Sequence, residues 1–225
     1  MPRFRRGAFL LFLLTFAGSL LLGDRPSVAP LLWLDVDVFL SGGGWWQPLT
    51  ASFVYPSTGL AALVGTLLVQ WFFASPVEGF WGTRRYLVMV MTSSVAGYLA
   101  VALVGLWLPE VRFVRLSGAL PIDLAAITSF GVVFARQRYA PFGMSPVQGR
   151  VLAGFVASLL ILLPLSAAAG VVSVLPGLVA AMVAALFAVQ PWRGGKKSGT
   201  LGRPTRRSKQ ASHLKVVRTV DDLLN

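Results

Sequence analysis

The chain has 225 residues, no cysteine, one histidine and a formal net charge of +12; 56% of its residues are hydrophobic and only 12% are charged. A mean hydropathy of +0.72, with about half the charged fraction usual in a soluble domain, points to a membrane protein. Without cysteine there are no disulfides, thiolate nucleophiles or Cys-ligated metals. The lone His213 sits in a basic tail, so the apolar part can build neither an imidazole triad nor a His-rich metal site. No cofactor and no metal are expected.

Six apolar segments follow in chain order: 7–22, 49–74 (interrupted at Pro56), 86–106, 120–135, 151–165 and 168–189. They are apolar in blocks rather than in stripes, as segments surrounded by lipid or by other helices are. A helix crossing the hydrocarbon core needs about 20 residues, with ~17–25 as the range. The third and sixth segments meet this easily, and the first, fourth and fifth are short. The expected fold is an all-α polytopic membrane protein: a six-helix membrane domain over 1–190 with a short central fourth helix, then a basic, largely disordered cytoplasmic tail over 191–225.

The first segment, in "MPRFRRGAFLLFLLTFAGSLLLG", has the basic and apolar regions of a signal peptide. No A-x-A-like site follows promptly, so a retained helix is favoured. Either reading leaves the N-terminus in the cytoplasm. The next stretch, "DRPSVAPLLWLDVDVFLSGGGWWQP", is too apolar for a solvated loop. It is expected to lie in the membrane interface with Asp35 and Asp37 toward water.

Basic residues set the orientation. All lysines and arginines except Arg25, Arg112 and Arg115 fall on one side of the six-span arrangement, so the positive-inside rule puts both termini in the cytoplasm. The charge collects at segment ends and in the tail rather than over one face. That suits anionic lipid, bound through the tail, better than nucleic acid, which is not expected as a partner. The chain is expected to reside in the cell's inner (plasma) membrane.

At the fourth segment, "RLSGALPIDLAAITSF" offers Ser117 and Asp123. A serine hydroxyl needs an adjacent base. There is no imidazole, and every lysine (Lys196, Lys197, Lys209, Lys215) lies in the tail. Ser117 therefore reads as a loop residue or local cap. An ionisable residue in a span is by default a functional hypothesis. For Asp123 two roles stand together: it caps the helix that Pro121 begins, and it contacts a client or ion at the base of an outward-opening polar pocket. Gly177, Ala181 and Ala185, with Ala125, Ala126 and Ser129, offer small surfaces for close helix contact.

The stretches "WWQPLTASFVYP" and "VQWFFASPVEGFWGTRRYLVMVMTSSVAGYL" resemble the second and third helices of rhomboid-type proteins. There a Trp-Arg-x-x-Thr entry leads into a helix ending in a Val-Glu-x-x-x-Gly-x-Arg-like turn. Trp46, Thr50, Phe53, Val77, Glu78, Gly82, Arg84 and Arg85 occupy the matching positions, Gly177 falls in the sixth segment, and the resemblance covers about residues 30–190. It implies a six-transmembrane-helix rhomboid-like bundle. It also implies that the catalytic positions are replaced. The family's serine falls near Leu120, with Pro121 in place of the following glycine, and Ser117–Gly118 fits only after a three-residue shift. The family's histidine falls near Val174. The helix-two His and Asn positions fall among Tyr55, Ser57, Leu60, Ala62, Val64 and Thr66.

The resulting expectation is a catalytically inactive rhomboid-like protein that binds transmembrane segments of client proteins. Asp123, Ser117 and Thr66 are the candidates for a polar pocket or client contact. The alternatives are an intramembrane serine protease with a displaced Ser117 nucleophile, and a small transporter subunit using Asp123.

Overall fold

A computed structural model describes residues 4–23, 25–55, 60–140, 146–165 and 170–189. The tail expected over 191–225 lies outside the described residues, as do Pro56 and Ser57. Most of the described chain is helical. The first apolar segment is α1 (Arg6–Leu22). After it come α2 (Ala29–Leu32), β1 (Leu34–Asp35), α3 (Val36–Leu40), α4 (Gln47–Thr50) and a 3-10 turn over Ala51–Phe53. β1 pairs antiparallel with β2 (Arg115–Leu116), matching Leu34 to Leu116 and Asp35 to Arg115. An ion pair of 3.0 Å between the side chains of Asp35 and Arg115 reinforces that pairing. Asp37 is exposed, but Asp35 is half-buried against this arginine.

The second apolar segment departs from the expected 49–74 span. Val54 is extended, and the continuous membrane-length helix covers Ala61–Trp81 instead. It consists of α5 (Leu60–Val69), a π turn (Gln70–Ala74) and α6 (Ser75–Trp81). Pro76 should have ended the helix, because it lacks an N–H and its ring crowds the carbonyl four residues back. The π turn widens the helix just before it. Ser75 donates its N–H to the Gln70 carbonyl five residues back and adds its Oγ to the same oxygen at 2.9 Å. Gly82, at φ +83, then ends α6, and α7 (Thr83–Trp107) begins at once. Arg84 and Arg85 are accordingly in the first turn of a helix, not in a connecting loop.

Beyond α7, a 3-10 turn over Pro109–Phe113 and β2 lead into α8 (Leu120–Val133). β3 (Arg138–Tyr139) pairs with β4 (Val147–Gln148), and α9 (Gly149–Leu165) and α10 (Gly170–Val189) complete the described fold. Among the described residues three helices are long and apolar enough to cross a membrane: Ala61–Trp81, α7 and α10. The other three apolar helices, α1, α8 and α9, are shorter. At 1.5 Å per residue, α8 spans only about 21 Å.

Helix α8 nevertheless occupies the centre. It packs against α5, α6, α7, α9 and α10, and residues 121–127 are all buried. Glycines permit the closest approaches. A Cβ on Gly97 of α7 would lie 2.2 Å from the Pro176 carbonyl oxygen, and one on Gly177 would lie 2.6 Å from Leu124 Cδ1. On α10 the buried small residues are Gly177, Ala180 and Ala184. Ala181 and Ala185, the expected partners of Gly177, are only half-buried.

The distribution of side chains is that of a protein bathed in lipid. Phe9, Leu10, Leu13, Leu103, Phe155, Leu162, Met182 and Leu186 are exposed, whereas Thr15, Ser52, Thr66, Gln70, Glu78, Ser94 and Asp123 are buried. Several buried hydroxyls find partners inside, Ser52 and Ser94 hydrogen-bonding to each other, whereas the Ser93 hydroxyl has none among the described residues. With no water to serve it, each polar group in such a setting needs an internal partner.

Candidate functional site

Asp123 lies in the first turn of α8, 3% exposed. Its carboxylate does not cap that helix. One oxygen accepts the Thr66 hydroxyl at 2.7 Å and the other accepts the Gln70 side-chain amide at 3.2 Å. The capping role is corrected for a geometric reason. The carboxylate is spent on α5 and the π turn, and the first turn of α8 carries no side-chain cap.

The network extends in both directions. Thr66 Oγ1 is 3.2 Å from the Tyr55 hydroxyl, and the Tyr86 hydroxyl donates to the Gln70 side-chain oxygen at 2.9 Å. A chain of five side chains therefore runs Tyr55–Thr66–Asp123–Gln70–Tyr86 through the interior. The π turn matters here, because it contains Gln70; such turns are frequent at functional sites.

Asp123 also borders a cavity of about 470 Å³. Its walls come from α5 (Ala61, Ala62, Gly65), α8 (Leu120, Pro121), α9 (Leu160, Leu163, Pro164) and α10 (Ser173, Pro176), with Tyr55, Tyr98 and Ser117 completing it. Helices α5 and α9 face each other across it, and they are not among the closely packed helix pairs. The lining is largely apolar, with a few polar groups converging, as in most binding pockets.

Each residue singled out in the sequence has a definite place. Ser117 lines the cavity, half-buried, and takes part in none of the described hydrogen bonds. Its neighbour Gly118 is fixed by three contacts. Its N–H donates to the Ala51 carbonyl at 2.8 Å, its carbonyl accepts the Tyr98 hydroxyl at 2.8 Å, and at φ +116 a Cβ would meet Tyr55 at 2.6 Å. Leu120 lies on the cavity wall and against Gly177. Val174 is buried one turn before Gly177 on α10. Leu120 and Val174 thus lie on packed, neighbouring helices, and both are aliphatic.

The remaining motif residues hold the fold. Trp46 Nε1 donates to the Leu31 carbonyl at 2.9 Å and Thr50 Oγ1 to the Leu32 carbonyl at 2.9 Å. Both thereby fasten α2 to α4. Glu78 is 3% exposed and accepts the N–H groups of Gly7 (2.9 Å) and Ala8 (2.8 Å) and the Thr83 hydroxyl (2.6 Å). It therefore caps α1 from another helix, where an anion meets unpaired N–H groups and the positive end of the helix dipole. Arg84 is exposed, and Arg85 stacks over the Trp81 ring, 5.0 Å from its centroid.

Sequence reasoning missed Gln70 and Tyr86 as members of the site. A signal for Gln70 exists: it is the one amide within "TLLVQWFFA", and polar residues inside spans mark functional positions. Tyr86 carries no such signal. Among the described residues, no three acidic or histidine side chains gather to hold a metal. No family model matches the chain, and no curated protein matches it.

Proposed function

We propose that the chain is a catalytically inactive, rhomboid-like integral membrane protein that binds transmembrane segments of client proteins in the cavity between α5 and α9. In this reading α1, α8 and α9 join the three long helices to make six spans, with both termini cytoplasmic. The carrying observation is the cavity itself. It is largely apolar, lies where the helix Ala61–Trp81 and α10 begin, borders a buried carboxylate, and has Leu120 on its wall where the resemblance places the family's nucleophile. Ser117 lines the cavity with no imidazole or lysine among the described residues to act as its base, and a serine without a base is a weak nucleophile. A transmembrane segment suits such a cavity, because its surface is apolar and its occasional polar side chain can meet Asp123 or Tyr55.

A photo-crosslinker at Ala62 tests this in native membranes, with a second one at exposed Leu103 on α7 as the control. The reading expects discrete adducts with other membrane proteins from position 62, lost when Gly65→Phe fills the cavity and absent from position 103. Equal adducts from both positions, or adducts unaffected by Gly65→Phe, contradict it. A fluorophosphonate probe that labels wild type but not Ser117→Ala would favour the serine protease instead.

The hydrogen-bonded chain from Tyr55 to Tyr86 favours one other reading, proton or cation passage through Asp123. Equal ion flux into liposomes carrying wild type or Asp123→Asn removes it.

A further inference from the structure

A second pocket, of about 480 Å³, lies at the opposite end of the long helices, where α6 gives way to α7. It is lined by Trp81, Gly82, Thr83, Arg84, Arg85, Val88 and Phe187. Its chemistry is divided along one direction. At the helix junction are two guanidinium groups. Arg84 is exposed, and Arg85 is held over the Trp81 ring rather than swinging freely. The first turn of α7 contains no acidic residue and no side-chain cap, so the positive end of a 25-residue helix opens between the arginines. Trp81, which forms one wall, has an indole N–H that is buried without a hydrogen-bond partner among the described residues. One turn further along α7 the walls become apolar, with Val88 50% exposed and Phe187 of α10 beside it.

Among the described residues the acid in this neighbourhood is Glu78, which is turned to the start of α1. Its oxygens are occupied by Gly7, Ala8 and Thr83, and its charge is met by the start of α1. A positive mouth that continues into an apolar wall, at the end of two membrane-length helices, matches an amphiphile better than a soluble anion. Basic pockets at this depth between transmembrane helices suit anionic headgroups, and tryptophan favours the same interface.

We propose that this pocket binds the phosphodiester headgroup of an anionic glycerophospholipid, with Arg84 and Arg85 on the phosphate and Val88 and Phe187 along the first carbons of an acyl chain. The site is distinct from the basic tail and from the cavity beside Asp123. It places a bound lipid at the junction that Gly82 forms between α6 and α7.

Native mass spectrometry of the full-length protein released from detergent reads the affinity of the first bound lipid. The probes are phosphatidylglycerol, with phosphatidylcholine as the zwitterionic control. At about fivefold per basic residue, Arg84→Gln/Arg85→Gln weakens the first phosphatidylglycerol ~25-fold and leaves phosphatidylcholine unchanged. Val88→Trp, which keeps both arginines but fills the apolar end, weakens it as well and covers the case in which the double variant is poorly folded. Replacing the tail lysines and arginines by glutamine leaves the first site intact. The proposal is overturned if the double variant and Val88→Trp bind phosphatidylglycerol like wild type, or if both lipids bind equally. Loss of the first site with the tail charges, or displacement of the lipid by millimolar inorganic phosphate, overturns it too.

Discussion

Among its described residues the protein buries two carboxylates, Glu78 and Asp123, each 3% exposed, and treats them in opposite ways. Glu78 takes two backbone N–H groups and one hydroxyl, all contributed by the beginnings of α1 and α7. Its negative charge faces the positive end of α1, so the pair is a cross-link between residues about 70 positions apart in sequence. Among the described residues Asp123 takes one hydroxyl and one side-chain amide, with no backbone donor and no cation, and it borders a cavity. Backbone partners are bound to the fold and cannot turn away. Side-chain partners can rotate, and each Asp123 oxygen, with one described donor, has a lone pair left for another. The first carboxylate is suited to holding the bundle together and the second to receiving something.

The largest effect therefore belongs to Glu78. Hydrogen bonds to a charged group are worth about 1.5–3 kcal/mol each, so Glu78→Ala, which also leaves two N–H groups of α1 orphaned, costs ~3 kcal/mol or more. Thermal unfolding in detergent reads this as a fall of roughly 6–12 °C. An unchanged midpoint would make the cross-link decorative and erase the contrast with Asp123.

Next comes the α7–α10 contact. Gly97→Ala sets a methyl 2.2 Å from the Pro176 carbonyl oxygen, so backbone has to move; over-packing of this kind costs about 1–3 kcal/mol. The same assay measures it, and tolerance of alanine there would show that the two helices are less tightly apposed than the contact implies.

A smaller loss, ~1 kcal/mol for one neutral hydrogen bond, is expected from Thr50→Val, which releases Leu32 and with it the α2 end of the first loop. Protease nicking within 25–40, compared with wild type, detects it. Unaltered nicking would show that Trp46 and the β1–β2 pairing suffice.

Much of this arrangement was legible in the sequence. Block hydropathy located α1, α7, α8, α9 and α10 and part of the helix over Ala61–Trp81, and three residues singled out in the sequence, Trp46, Thr50 and Glu78, make hydrogen bonds between elements. The losses have physical causes. The second helix ran on past Pro76 because a π turn absorbs the proline, and nothing in local propensity announces a π turn. "AAMVAA" over 180–185 offers alanine at every candidate position, so composition could not decide that α10 buries Ala180 and Ala184 rather than Ala181 and Ala185. The cap on Asp123 was inferred from its place in the first turn of α8; the competing donors, Thr66 and Gln70, are more than 50 residues away. For Glu78 the residue stood out but its partner did not, because that partner lies on another helix.

The central claim is that Asp123 serves the cavity while Glu78 serves the bundle. Asp123→Asn tests it most directly, because an amide keeps the shape, its oxygen accepts from Gln70 while its NH2 donates to a Thr66 hydroxyl turned to accept, and the exchange costs about 1 kcal/mol net. The measurement is the yield of client adducts from a photo-crosslinker at Ala62, with and without Asp123→Asn, alongside the unfolding midpoint. The account predicts a yield that falls several-fold while the midpoint stays within about 3 °C of wild type. An unchanged yield with a midpoint lowered as far as Glu78→Ala lowers it would contradict it, and would make Asp123 a second structural cross-link.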